Sequence, residues 1–291
     1  RGSSVYQQTL NLTISEKQEL RRLLEENYLP ENRVYRYNFF YDNCTTRARD
    51  IIEKCIEGKV VYSEGKERLS FRDIVHQYTK GHEWDELGID MCLGSEADKP
   101  IDARKQMFAP FYLLEAAKKA TIVVGDSVRP LILHEKKVVD VEPEDVREGF
   151  PLSPMVCVFI LIGVTCFVGW LQFKIRKIIW IWDLLLFGVQ GLAGCVITFL
   201  VLFSTHPTVG SNWLILLLNP IPLIYLPVMV YRAIKGKKDY YHTINIVCLT
   251  SFMMIMPFIQ QKFNVTVLPL ALCLLICSAN HVLLYYRQNN K

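Results

Sequence analysis

Long apolar runs separated by short polar breaks fill residues 155–286. Five of them, at 155–173, 178–204, 212–231, 243–259 and 265–286, approach the roughly 20 residues a helix needs to cross a hydrocarbon core. The chain ahead of this block has a different rhythm. Leu20, Leu23 and Leu24 recur at helical spacing, which predicts a helix capped by Ser15 with Gln18 completing a capping box. Ile51, Ile52, Cys55 and Ile56 share one face of a second helix, with Asn43 in the capping position and Gly58 as its stop. Ser70 opens a third, directing Phe71, Ile74, Val75 and Tyr78 inward, and Gly81 ends it. Residues 104–120 read as helix broken around Pro110, while the β-branched runs at 59–62 and 121–141, and the aromatic run at 33–41, read as strands. The pattern therefore predicts an α+β domain over 1–150, then an all-α polytopic membrane domain over 151–291. Pro143, Pro151 and Pro154 stiffen the linker between them.

Charge orients the membrane block. Lys174, Arg176 and Lys177 share one side with Arg232, Lys235, Lys237, Lys238, Arg287 and Lys291, whereas the opposite loops carry only Lys262. By the positive-inside rule the basic side, with the C-terminus, is cytoplasmic, and residues 1–150 and the loop 204–211 lie outside. The net charge of +4 mostly records those basic loops, and no aromatic-interleaved basic patch points to nucleic acid. An exported domain needs an export signal, yet the sequence opens at Arg1 with neither methionine nor a signal-peptide core, so an upstream segment is expected.

Of nine cysteines, six fall in the apolar runs, leaving Cys44, Cys55 and Cys92 outside the membrane. Cys55 rides an apolar stripe and reads as packing. Cys44 is flanked by Asp42, Asn43, Thr45, Thr46 and Arg47 and starts a helix, where the unpaired amides and the helix dipole favour a thiolate nucleophile. The competing reading makes Cys44 an ordinary buried cysteine. A disulfide between Cys55 and Cys92 with Cys44 free is one economical arrangement, which the spacing leaves open. No cysteine pair has the close spacing of a zinc site, and neither a metal nor a cofactor is expected. His76 falls on the polar face of the third helix, His82 follows Gly81 and His134 lies in a strand, so each reads as a surface histidine. In the membrane block, Asp183 lies near the cytoplasmic end and reads as reaching the interface, next to Gln190 on the same helix. His206, Asn212 and Asn219 cluster on the outer side. The His206-Pro207 pair is equally consistent with a simple bend.

Val5-Tyr6-Gln7-Gln8, the run from Asn32 to Phe40, and above all Asp42-Asn43-Cys44-Thr45-Thr46-Arg47 resemble the Lnb-type lipoprotein N-acyltransferases of Bacteroides. Gly88-Ile89-Asp90, Leu93-Gly94 with Asp98, Met107-Phe108-Ala109-Pro110, His206-Pro207, Asn212 and Asn219-Pro220 agree with that pattern, so the resemblance spans nearly the whole chain. It implies an exported domain similar to permuted papain-like (NlpC-like) thiol enzymes, in which a histidine precedes a helix-starting cysteine. No matching histidine precedes Cys44, so these residues alone are expected to be inactive, with the base upstream of Arg1.

The resemblance further implies that Cys44 takes an acyl chain from a phospholipid as a thioester and passes it to the α-amine of a diacylglyceryl-cysteine lipoprotein in the bacterial inner membrane. Asn43 and the first-turn amides would hold the oxyanion, Arg47 would bind phosphate or pair with Asp50, and Tyr37 would line the site. His206, Asn212 and Asn219 would bind lipid headgroups. Two other readings share the thiol: a membrane-bound papain-like hydrolase of peptidoglycan peptides, and a non-catalytic membrane binding module in which Cys44 is structural.

Overall fold

The computed structural model describes residues 4–63, 68–141 and 150–289. In chain order it runs β1 (Val5–Leu10), α1 (Ile14–Tyr28), α2 (Cys44–Cys55), β2 (Lys59–Val61), α3 (Phe71–Thr79), α4 (Glu83–Cys92), α5 (Ala103–Gln106) and α6 (Pro110–Lys119). There follow β3 (Thr121–Val124), β4 (Ser127–Pro130), β5 (Ile132–Val139), α7 (Pro154–Ile175), α8 (Trp180–Phe203), α9 (Pro207–Gly210), α10 (Ile221–Ile234), α11 (Tyr240–Ile255) and α12 (Val267–Asn289). Two compact units emerge: residues 1–74 with 100–148, and residues 75–99 with 149–291. The division falls inside α3, and most of the expected linker, 142–149, lies outside the described residues.

The first unit is α+β. β1 pairs antiparallel with β5, and β2, β3 and β4 form a three-stranded antiparallel sheet. Its core gathers Cys55, Ile56, Ala117, Ala120, Ile122 and Leu131, with Leu20 and Leu23 of α1 and Ile52 of α2 packed against them. Leu24 is exposed instead, because the stripe on α1 is narrower than its leucines suggest. The cap of α1 is Thr13, not Ser15: the Glu16 amide donates to Thr13 Oγ1 and Glu16 Oε2 accepts from the Thr13 amide at 2.8 Å. The run 33–41 is not a strand. Asn38 Oδ1 accepts from the Phe40 and Tyr41 amides, and the Asn38–Asp42 bridge closes a turn that delivers the chain to α2. Phe40 then packs on Phe71 (4.6 Å between ring centroids) and Phe108 (5.1 Å), so the aromatic residues form a plug beneath the turn. Cys55 and Cys92 are both free thiols, so the disulfide considered above is not present.

Among the described residues, the second unit contains five helical segments long and apolar enough to cross a membrane. Their core includes Phe187, Leu214, Leu217, Met229, Leu249 and Leu274, while Phe199, Leu202 and Ile224 turn outward as lipid-facing residues do. The third span is not the continuous helix expected from 212. It comprises α9, a 3-10 turn at Trp213–Leu216 and α10, with the breaks at Asn212 and at Asn219-Pro220. Small residues let α8 approach this broken stretch: a Cβ on Gly194 would overlap the Asn219 carbonyl carbon, and one on Gly191 would sit 2.5 Å from Leu223 Cβ. The segment holding α4 and the 3-10 turn Ser95–Asp98 is tied to the helix-connecting loops of this unit by backbone bonds, Gly94 N to Thr208 O (2.7 Å) and Ser95 N to Ser211 O (3.1 Å).

Candidate functional site

Cys44 is the first residue of α2 and its side chain is exposed, in contrast to the enclosed Cys55 eleven residues on the same helix. Asn43 makes that placement. Its Oδ1 accepts from the Thr45 and Thr46 amides, both at 2.9 Å, and its Nδ2 donates to the carbonyls of Phe39 (2.8 Å) and Phe108 (2.9 Å). Thr46 Oγ1 in turn accepts from the Asn43 amide at 2.9 Å. A reciprocal capping box thus fixes the turn, and the same side chain ties it to the loop before α6. With donors and acceptor engaged, Asn43 positions the thiol and has no free hydrogen for an oxyanion. The Thr45 and Thr46 amides are taken by the cap, and the Arg47 amide donates to Asn43 O, so the Cys44 amide is the first-turn donor outside these bonds.

Arg47 pairs with Asp42, not Asp50: Nε and Nη2 reach the two carboxylate oxygens at 2.8 and 2.9 Å. Its guanidinium lies 3.4 Å from the centroid of the Tyr35 ring, and the Tyr35 and Tyr37 rings are 6.1 Å apart. Asp50 is taken by Arg49 and Arg104. The Tyr37 phenol is held above its usual range, first by partial burial and then by electrostatic repulsion from its neighbours Cys44 and Tyr35. Cys44, Asn43, Arg47 and Tyr37 are therefore gathered at one helix end. His134, the one histidine among the described residues of this unit, sits on exposed β5 opposite Thr9.

In the second unit His206, Asn212 and Asn219 each stand at the start of a helical piece. His206 is half-buried, its amide donating to Ser204 Oγ. Asn212 is buried; its Nδ2 donates to Met91 O at 2.7 Å, and its Oδ1 accepts from Leu214 N and Gln261 Nε2. Asn219 Oδ1 accepts from the Ile221 amide. Asn212 and Asn219 shape the broken span through their side chains, whereas His206 makes no side-chain capping bond.

Two further groups differ from the sequence expectation. His76 Nε2 lies 2.8 Å from Oδ1 of the enclosed Asp90, whose Oδ2 accepts from Asn264, so it is a partnered histidine and not a free surface one. α4, which no periodicity announced, supplies that partner. Asp183 does not reach the interface: it is fully enclosed, with His281 Nε2 2.8 Å from its Oδ2.

An α+β domain presenting an exposed helix-starting thiol, with five membrane-length segments among the described residues, defines a membrane protein with a thiol-bearing domain. The model of the Lnb N-terminal periplasmic domain matches residues 1–80 and that of the Lnb transmembrane domain matches residues 145–289, most of the chain between them. The chain belongs to the Lnb family, with a periplasmic N-terminal domain and a multi-span membrane domain. No curated protein and no solved structure matches it.

Proposed function

We propose that this protein is a lipoprotein N-acyltransferase that works through Cys44. The observation that carries the reading is an exposed thiol at the first residue of a rigidly capped helix, inside the stretch that matches the periplasmic Lnb domain. Cys44 Sγ attacks the acyl ester carbon of a phospholipid, the ester C–O bond breaks, and a lysophospholipid leaves with its oxygen protonated. The α-amine of a diacylglyceryl-cysteine lipoprotein then attacks the thioester carbon, forms the amide, and returns the thiol. Splitting one aminolysis into two steps replaces a poor leaving group by a better one. The acceptor amine has a reference pKa near ~8, so a neutral fraction is present at pH 7.

In this reading the Cys44 amide, at the positive end of α2, faces the oxyanion, and Asn43 keeps the turn in place. Arg47, anchored by Asp42 and Tyr35, supplies positive charge for a lipid phosphate, and Tyr37 borders the acyl carbonyl. His206, only half-buried, is the headgroup contact on the outer side, with Asn212 and Asn219 setting the shape of its span. Five spans hold the protein in the inner membrane, C-terminus cytoplasmic, where both substrates reside.

The test is capture of the intermediate. The protein is incubated with a phospholipid bearing isotope-labelled acyl chains and without acceptor, and the Cys44 peptide is analysed by mass spectrometry. A labelled acyl group on Cys44, released by neutral hydroxylamine and absent from Cys44→Ala, is expected; an unmodified Cys44 peptide under conditions that support turnover overturns the thioester route.

A further inference from the structure

The membrane domain encloses polar groups that the thiol chemistry does not use. Asp183 on α8 and Cys277 and His281 on α12 bring a carboxylate, a thiol and an imidazole together, with ligating atoms all within 4.8 Å of one another and all three residues buried. Cys277 and His281 are four residues apart on one helix and so share a face, and Asp183 comes from the facing helix. Cys277 Sγ is 3.5 Å from Asp183 Oδ1. His281 Nε2 is 2.8 Å from Asp183 Oδ2, yet neither atom has an aligned hydrogen-bond partner. A simple ion pair would place the N–H on the oxygen. Behind His281 the His242 ring stacks at 3.8 Å between centroids, and its Nδ1 faces Ser278 Oγ, which also accepts from Asn245.

We propose that Asp183, Cys277 and His281 form a binding site for a divalent transition-metal ion, zinc by its ligand chemistry. Nitrogen, sulfur and oxygen donors in this combination suit zinc, and three protein ligands leave one coordination position for water. Charge balance favours it: a carboxylate and a thiolate neutralise a dication, so the loaded site adds no net charge to the bundle interior, where an unpaired charge is costly. Binding forms bonds from Sγ, Nε2 and a carboxylate oxygen and releases the thiol proton to solvent. His242 packs against the His281 ring and fixes its plane. A route exists, since His281 also lines a cavity with Asp239, Thr243 and Tyr285. Arg232, Lys237 and Lys238 line that cavity too, and their charge opposes a free cation, so the ligand set must outweigh it. The ion would cross-link α8 to α12.

The full chain is purified in detergent without immobilised metal, and its metal content is measured. It is then stripped with a chelator and titrated with Co²⁺ as a spectroscopic stand-in for zinc. About one equivalent of zinc per chain is expected, together with a thiolate-to-cobalt charge-transfer band and tetrahedral d–d absorption. Cys277→Ala abolishes the charge-transfer band, and Asp183→Asn keeps it while weakening binding by about 10-fold or more. Cys273→Ala, at a buried thiol one turn earlier and outside the cluster, leaves both signals intact. Absence of zinc together with absence of a cobalt band in the wild-type protein overturns the proposal, a result that needs no variant to fold. A band that survives Cys277→Ala overturns it as well.

Discussion

Replacing Asn43 by alanine removes four hydrogen bonds at once, and their contributions can be separated. Losing Oδ1 uncaps the Thr45 and Thr46 amides, which costs about 1 kcal/mol for an N-cap. Losing Nδ2 strands the carbonyls of Phe39 and Phe108, the second fully buried, at roughly 1 kcal/mol each. The total is about 3 kcal/mol, or about two powers of ten in the opening equilibrium of the first turns of α2. Hydrogen exchange on the intact protein in detergent, read on peptides covering Cys44–Cys55, should show that acceleration while peptides from α7 stay unchanged. Asn43→Asp keeps the capping acceptor but turns a carboxylate oxygen toward the Phe39 and Phe108 carbonyls, so it should accelerate exchange as well. Acceleration below about threefold in Asn43→Ala, roughly 0.6 kcal/mol, would refute the double role assigned to this side chain.

Arg129→Ala leaves the enclosed Glu16 carboxylate without its counter-charge, and should cost about 3 kcal/mol in thermal or denaturant unfolding. Burial pushes the Glu16 carboxyl up, but bonds from the Thr13 and Glu57 amides and from Arg129 outweigh it and hold the group below its ordinary value. Its contribution to stability is therefore complete above the unfolded-state value of about 4.3 and is lost as pH falls through the lower folded value; Glu16→Gln should flatten that acid limb. Gly94→Ala would place a Cβ 2.6 Å from the Ser211 carbonyl carbon and 2.7 Å from the Asn212 amide nitrogen, and should destabilise the protein by about 1–3 kcal/mol in a melting assay. Gly210→Ala, which meets open space, should change it by less than about 0.5 kcal/mol.

What could be read from the chain was what local chemistry dictates. Asn43 before a stripe of Ile52, Cys55 and Ile56 announced α2 and put Cys44 at its start, and Pro110 announced the break between α5 and α6. β1 stayed hidden because its partner β5 lies at the far end of the domain, and Val5–Leu10 has no clean alternation of its own. The aromatic residues of 33–41 suggested a strand, yet Asn38 bends the backbone through its own side chain, a signal that asparagine before two aromatics can give. Gly81 rightly ended α3, but Tyr78 turned outward. The third span looked continuous because hydropathy ignores capping; Asn212 and Asn219, read as headgroup ligands, are each bonded to amides that begin a helical piece. Asp183 and His76 were misread for one reason. Their partners, His281 and Asp90, stand on other helices, and only tertiary packing brings them within 2.8 Å.

The central claim is that Cys44 carries an acyl chain to lipoprotein amines, and mass spectrometry of lipoprotein N-terminal peptides tests it most directly. Cells lacking the protein are complemented with the wild type or with Cys44→Ala. The account predicts that the wild type restores the N-acyl group and Cys44→Ala does not; restoration by both would make Cys44 structural and contradict it.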